Sequence, residues 1–242
     1  MAKRVAINER AHRESLQQGD QRRAARCAFW LAIDLLDRGE PARAGGWLAR
    51  AERHLDDYGF DCVERGYPLL PIALRSQSEG DPAAALETYS RIVVIAGRFS
   101  DLDLETLAII GQGESFLALD DSRRGVALLD EAMVAVAAGE VSPIVVGIAY
   151  CSAIETCHRT FDLGRAREWT AALSRWCDSQ PDLVPYRGPC LLYRAELLRP
   201  SASARRLADG ARTPAFSRQT VRYLAVAACH RRGHLAGPDK HK

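Results

Sequence analysis

Three side chains of the kind that bind metals lie close together near the middle of the sequence. Cys151, Glu155 and His158 are spaced as i, i+4 and i+7, so they share one face of a helix. A zinc ion would need a fourth ligand and supporting hydrogen bonds, and no other Cys/His cluster supplies them. We therefore interpret the group as a buried thiol beside a surface Glu/His pair and expect no metal.

Patterns typical of catalysis are equally incomplete. Residues 113–117 (GESFL) have one glycine where a nucleophile elbow has two, and they belong to a helical pattern. Residues 111–113 (GQG) have no third glycine or lysine to hold a phosphate. Cys157 and His158 are neighbours in sequence, so their side chains diverge around a helix and no third group orients them. We predict no catalytic residues, no cofactor and no enzyme activity.

The elements that position these residues follow a regular repeat. Turn-like segments begin at Gly39, Gly80, Asp120 and Phe161, and a small residue follows each first position by five residues. These small residues are Ala44, Ala85, Gly125 and Ala166, which are 41, 40 and 41 residues apart. Such a period is typical of stacked helical hairpins that bury their apolar faces only against their neighbours.

The repeat extends along each second helix. The small residue and the positions four and seven later share a helix face, where a small side chain lets a neighbouring helix come close. These triplets are Ala44/Leu48/Ala51, Ala85/Tyr89/Ile92, Gly125/Leu129/Ala132 and Ala166/Thr170/Leu173. Apolar helical segments precede the turns at 24–36, 69–74, 102–119 and 144–161. The sequence therefore predicts an all-α fold, a right-handed α-solenoid of helical hairpins with a period of about 41 residues.

The small–large–small pattern resembles the second helix of tetratricopeptide repeats. Along residues 24–32, 39–48 and 165–173, the sequence resembles the helical-repeat region of large bacterial LuxR-type transcriptional regulators. That resemblance covers roughly residues 8–198 and implies a regulatory context in bacterial transcription. The family's helix-turn-helix and nucleotide-binding modules are not recognisable in this sequence, so their functional residues are not carried over.

The charge changes where the repeat ends. Residues 1–198 have a net charge of −6, and residues 199–242 have a net charge of +8. We predict a helical-repeat domain over 1–198 and a basic, irregular or poorly ordered tail over 199–242. Two hypotheses remain for the tail: a functional arm that binds nucleic acid or an acidic partner, and a poorly ordered segment without a selected role. A specific form of the second is a frameshifted continuation of a longer repeat gene.

The leading functional prediction is a non-catalytic module that binds a protein, peptide or effector in a concave groove. Polar residues within the first helices are the candidate binding residues: Arg26, Asp34, Arg75, Gln112 and Glu155. The alternative is nucleic-acid binding through the tail; without a helix-turn-helix domain we expect no other DNA binding. The last repeat helix, with Leu191, Leu192, Leu197 and Leu198, has no partner in register. We predict that this apolar end is adhesive unless the tail folds over it or two chains pair there as a homo-oligomer. The sequence offers no signal peptide or membrane span, and its cysteine usage indicates a cytoplasmic protein.

Overall fold

A computed structural model describes residues 2–57, 59 and 61–179 of the chain. In this part there are nine α-helices, a short 3-10 turn at Val63–Arg65, and no β-strand. The helices are α1 Ala2–Gln17, α2 Gln21–Asp37, α3 Pro41–Asp56, α4 Leu69–Ser78, α5 Pro82–Phe99, α6 Leu102–Ala118, α7 Ser122–Ala138, α8 Pro143–Arg159 and α9 Leu163–Ser179. The predicted all-α helical-repeat fold is confirmed, and its right-handedness stays a prediction.

The four hairpins lie where the repeat places them. The second helix of each hairpin, α3, α5, α7 and α9, begins two residues after the first position of its predicted turn. Proline opens α3 and α5, where a missing N–H costs no helical hydrogen bond. The predicted first helices correspond to α2, α4, α6 and α8.

The four hairpin turns share a two-residue pattern. Its first residue has a left-handed backbone, with φ of 73°, 84°, 63° and 59° at Gly39, Gly80, Asp120 and Phe161 respectively. The next residue is acidic. In the last three turns this carboxylate accepts a hydrogen bond from the third amide of the following helix at 2.9–3.1 Å. Such caps stabilise a helix by about 1 kcal/mol each, so the turns fix where the second helices start.

The predicted buried face of the second helices is confirmed at every position. All twelve residues of the four triplets are buried, and the face continues one turn further. The added residues are Leu55, Ala96, Val136 and Cys177. The same stripe of helix surface is therefore buried in each repeat, although its side chains range from glycine to tyrosine.

The described chain divides into two compact units, residues 2–104 and 105–179. In the first unit, α2 packs against both α1 and α3, and α4 packs against α5. A small apolar cluster joins α2 to α3 and includes Ala28, Ala51 and Leu55, with Trp47 at its edge. Helix α1 therefore extends the first hairpin to three helices.

The second unit is built around a larger apolar core. Side chains from α6 to α9 meet there, and the residues that are fully enclosed include Val145, Ile154 and Leu173. Helices α6 and α7 pack tightly against each other at two glycines. A Cβ atom on Gly113 would lie 2.9 Å from the Gly125 carbonyl oxygen, and one on Gly125 would lie 2.8 Å from the Gly113 carbonyl oxygen. Backbone is thus packed directly against backbone at this crossing.

Several predictions concern residues beyond this part of the chain. The domain boundary at 198/199, the basic tail and the self-associating helix with Leu191 to Leu198 all lie outside the described residues. Among the helices that are described, none has both the length and the apolar character needed to cross a membrane.

We expect Gly125→Ala to destabilise the protein by roughly 1–3 kcal/mol. The new methyl group would overlap Leu117 Cγ at 2.6 Å and the Gly113 carbonyl oxygen, and this overpacking outweighs the better helix propensity of alanine. The free energy of unfolding from urea titrations measures the effect. Gly97→Ala is the matched control, because nothing lies within 4 Å of its Cβ position and the change should stabilise by up to about 1 kcal/mol. Equal stability of the two variants would contradict the close crossing.

We expect Phe161→Gly to stabilise the protein by about 1 kcal/mol. An L-residue with a side chain is strained at φ 59°, and the Phe161 side chain is 63% exposed, so its removal sacrifices little packing. Thermal unfolding should show a higher Tm. Phe161→Ala removes the ring but keeps Cβ, so it should give no such gain; equal midpoints for the two variants would exclude backbone strain at this turn.

Candidate functional site

Arg26 lies at the centre of a polar network in the first unit. Its Nη2 donates to Asp101 Oδ2 at 2.8 Å and lies 3.1 Å from Glu64 Oε1. Its guanidinium also stacks over the Tyr67 ring, 4.9 Å from the ring centre. This arrangement links α2 to the 3-10 turn and to the start of α6. Burial alone would destabilise the charged form of this half-buried guanidinium. The carboxylates of Asp101 and Glu64 compensate for that cost.

Asp101 connects the remaining members of this network. Its Oδ1 accepts from the Tyr67 hydroxyl at 3.1 Å and from the backbone N–H of Leu104 at 2.9 Å. The second bond caps the N-terminus of α6. Tyr67 is only 1% exposed and packs edge-on against Phe29. The buried Tyr67 hydroxyl is thus hydrogen-bonded. The network also fixes the side chains along one side of an open cleft.

The cleft beside Arg26 is open and has a volume of about 430 Å³. Its lining carries three arginines, two acids and a partly exposed aromatic ring: Asp20, Arg22, Arg23, Arg26, Cys62, Val63, Glu64 and Phe99. Asp20 serves as the N-cap of α2 by accepting from the Arg23 amide at 2.9 Å. Arg22 and Arg23 are exposed and have no ion pair with any described residue. Their guanidinium groups are therefore accessible to a ligand.

Arg26 was among the residues predicted from the sequence, whereas its cleft neighbours were not. The available signal was a pair of adjacent arginines directly after the turn that starts α2. Glu64 belongs to a segment without helical periodicity, so no repeat position singled it out.

Two further predicted binding residues in the first unit have internal partners. Asp34 is 6% exposed and accepts from Asn8 Nδ2 at 3.0 Å, which joins α1 to α2. Arg75 pairs with Glu79, the residue that follows the last residue of α4, at 2.8 Å. Both contacts support structural roles for these side chains.

The remaining two predicted residues belong to the second unit. Gln112 is half-buried on α6. The predicted surface position of Glu155 is wrong, because this residue of α8 is only 8% exposed. Glu155 lies near Glu114, whose carboxyl has its pKa raised to about 7 by burial, and the negative charge of Glu155 acts in the same direction. Arg159 and a hydrogen bond with Ser152 oppose the shift. Glu114 is thus a carboxyl group that can hold its proton near neutral pH.

Two residues of the motifs that resemble catalytic sites, Ser115 and Cys157, are buried. Ser115 is fully buried within α6 and donates to the Gly111 carbonyl at 2.8 Å, so it is not presented as a nucleophile. Burial raises the pKa of the Cys157 thiol to about 11, which keeps it protonated. Within the described residues, no group of three or more His, Cys, Asp or Glu side chains could hold a metal ion.

No protein-family model, curated protein or solved structure matches this chain. The resemblance to the repeat region of LuxR-type regulators therefore rests on the residues quoted for it and remains an expectation. Function has to be argued from the geometry of the cleft and of the helical scaffold around it.

Replacing Glu114 with glutamine should change how stability depends on pH. A carboxyl whose pKa rises from 4.5 to about 7 on folding stabilises the native state below pH 4.5, and this contribution is lost as the pH rises through 7. The stability of Glu114→Gln relative to the unmodified protein should therefore increase by roughly 2–3 kcal/mol between pH 5 and pH 8.

Urea unfolding at several pH values, followed by tryptophan emission, measures this difference. Other titrating groups cancel because they are common to both proteins. Glu131→Gln changes an exposed carboxyl on α7 and serves as the matched control. If the stability of Glu114→Gln relative to the unmodified protein changes no more with pH than that of Glu131→Gln, Glu114 does not have the raised pKa.

Proposed function

We propose that this chain is a non-catalytic interaction module whose first unit binds an acidic segment of a protein partner. The observation that carries the proposal is the open cleft on α2, where Arg22 and Arg23 are exposed beside Arg26 and form no ion pair with any described residue. Guanidinium groups bind carboxylates through paired hydrogen bonds, so such a cleft favours an acidic ligand.

The chemistry of the lining narrows the kind of ligand. Arg26 is already paired with Glu64 and Asp101, so the exposed Arg22 and Arg23 supply the charge that a ligand in the cleft would meet. Phe99 is 37% exposed and offers an apolar surface at the same opening. Glu64 and Asp20 disfavour a dense negative charge such as a polyphosphate. A peptide with an apolar residue beside a carboxylate fits these features.

The wider context is part of the same proposal. The resemblance along residues 24–32, 39–48 and 165–173 supports a regulatory role in bacterial transcription. A cytoplasmic location is supported by the free thiols of the described cysteines, four of which are buried. The nucleic-acid alternative depends on residues 199–242, which lie outside the described part of the chain.

A fluorescence-anisotropy titration at low salt tests the proposal. A labelled peptide of alternating glutamate and leucine should bind, and its lysine–leucine counterpart should not. Reversing two charges with Arg22→Glu and Arg23→Glu should weaken binding at least about tenfold, because two attractive charge contacts become repulsive.

The control changes the same total charge elsewhere. Arg91→Glu combined with Arg123→Glu alters two exposed arginines on α5 and α7 that do not line the cleft. This variant should retain nearly full affinity for the acidic peptide. An equal loss in both double variants would show a general charge effect and would remove the cleft from the proposal.

A further inference from the structure

Two histidines from separate helices meet in the first unit. His12 on α1 and His54 on α3 face each other through their Nε2 atoms, which are 3.3 Å apart. His12 is only 2% exposed, and His54 is half-buried, so the pair lies just beneath the surface. The His12 ring also packs edge-on against Trp47, with 4.9 Å between the ring centres. The orientation of both imidazoles is therefore set by packing.

The distance between the two nitrogens suits a shared metal ion. The same distance also permits an Nε2–H···Nε2 hydrogen bond when one ring carries its proton on Nε2. With zinc–nitrogen bonds of about 2.05 Å, nitrogens 3.3 Å apart subtend about 107° at the metal, which is close to the tetrahedral angle. Both Nε2 lone pairs can point at such an ion if the protons of the neutral rings are on Nδ1.

We propose that His12 and His54 form a two-histidine chelate for a zinc ion. The described residues offer no cluster of three metal-ligating side chains, so water completes the coordination on the half-buried side of His54. Two protein ligands make this an exchangeable site rather than a structural one. None of the residues of this site lines the proposed cleft, so the two sites are independent.

The charges around the pair act in both directions. Burial lowers the pKa of both imidazoles, so both are neutral and able to bind metal at pH 7. Arg50 lies near both rings, and Arg53 lies near His54; both positive charges oppose a divalent ion. Asp57 lies near His54 and favours the ion. Arg50 also stacks over Trp47 at 4.8 Å, which holds its charge close to the site.

Isothermal titration with Zn²⁺ tests the site in the full-length, untagged protein. The background should carry His230→Ala, His234→Ala and His241→Ala, so that no histidine of the C-terminal segment contributes. We expect one equivalent of Zn²⁺ to bind. His54→Gln should weaken binding at least tenfold, and adding His12→Asn should weaken it little further, because losing one imidazole already destroys the chelate.

Two other variants separate this site from unspecific metal binding. His158→Gln, in the second unit, should leave the affinity unchanged. Arg50→Gln should tighten binding several-fold by removing a positive charge. Cu²⁺ should quench emission by Trp47, and Trp47→Phe should abolish that component without abolishing Zn²⁺ binding. Unchanged Zn²⁺ affinity in His54→Gln, or no binding in the parent protein, would overturn the proposal.

Discussion

The structure depends on one distance, the separation of two helices where they cross. A small residue at the crossing lets the helices come that close. Gly113 and Gly125 lie so close that either backbone carbonyl occupies the space of the other's Cβ. Ala44, Ala85 and Ala166 occupy the equivalent repeat positions and are completely buried. Side chains any larger would separate the helices and open voids along the whole stripe below the crossing.

This constraint also determines where polar groups can lie. In each hairpin, the small residue determines which face of the second helix is buried. The turn between the two helices then determines which face of the first helix packs against it. On α2, this packing turns Ala28 and Leu35 into the core and leaves Arg22 and Arg23 exposed. Arg26 lies between these environments and is held there by Glu64 and Asp101. The cleft is thus a consequence of helix register combined with one cross-hairpin network.

Much of the scaffold could be predicted because its signals are local. The turn residues and the i, i+4, i+7 pattern lie within a few residues of one another, and they specified the four hairpins and their twelve buried positions. The left-handed backbone at Phe161 could not be predicted from its residue type, since an aromatic side chain disfavours that conformation. The one sequence signal for this conformation is the repeat itself, in which Phe161 occupies the same position as Gly39 and Gly80.

The candidate sites were predicted less well because they depend on contacts between distant segments. Arg26 was singled out as a polar residue in an apolar helix, but its partner Asp101 is 75 residues away. His12 and His54 are 42 residues apart and meet only because α1 and α3 both pack against α2. The spacing of residues within one helix therefore predicts neither the Arg26–Asp101 contact nor the His12–His54 contact.

The most direct test of the central claim, that the cleft on α2 receives an acidic segment, is an NMR titration of the arginine side chains. Spectra of the Nε–Hε groups would be followed in ¹⁵N-labelled protein as an acidic, leucine-containing peptide is added, with assignments from single arginine-to-lysine variants. We expect saturable shifts of the Arg22, Arg23 and Arg26 signals, while those of Arg91 and Arg123 stay in place. Shifts spread evenly over all exposed arginines, or no shifts in the cleft at saturating peptide, would contradict it.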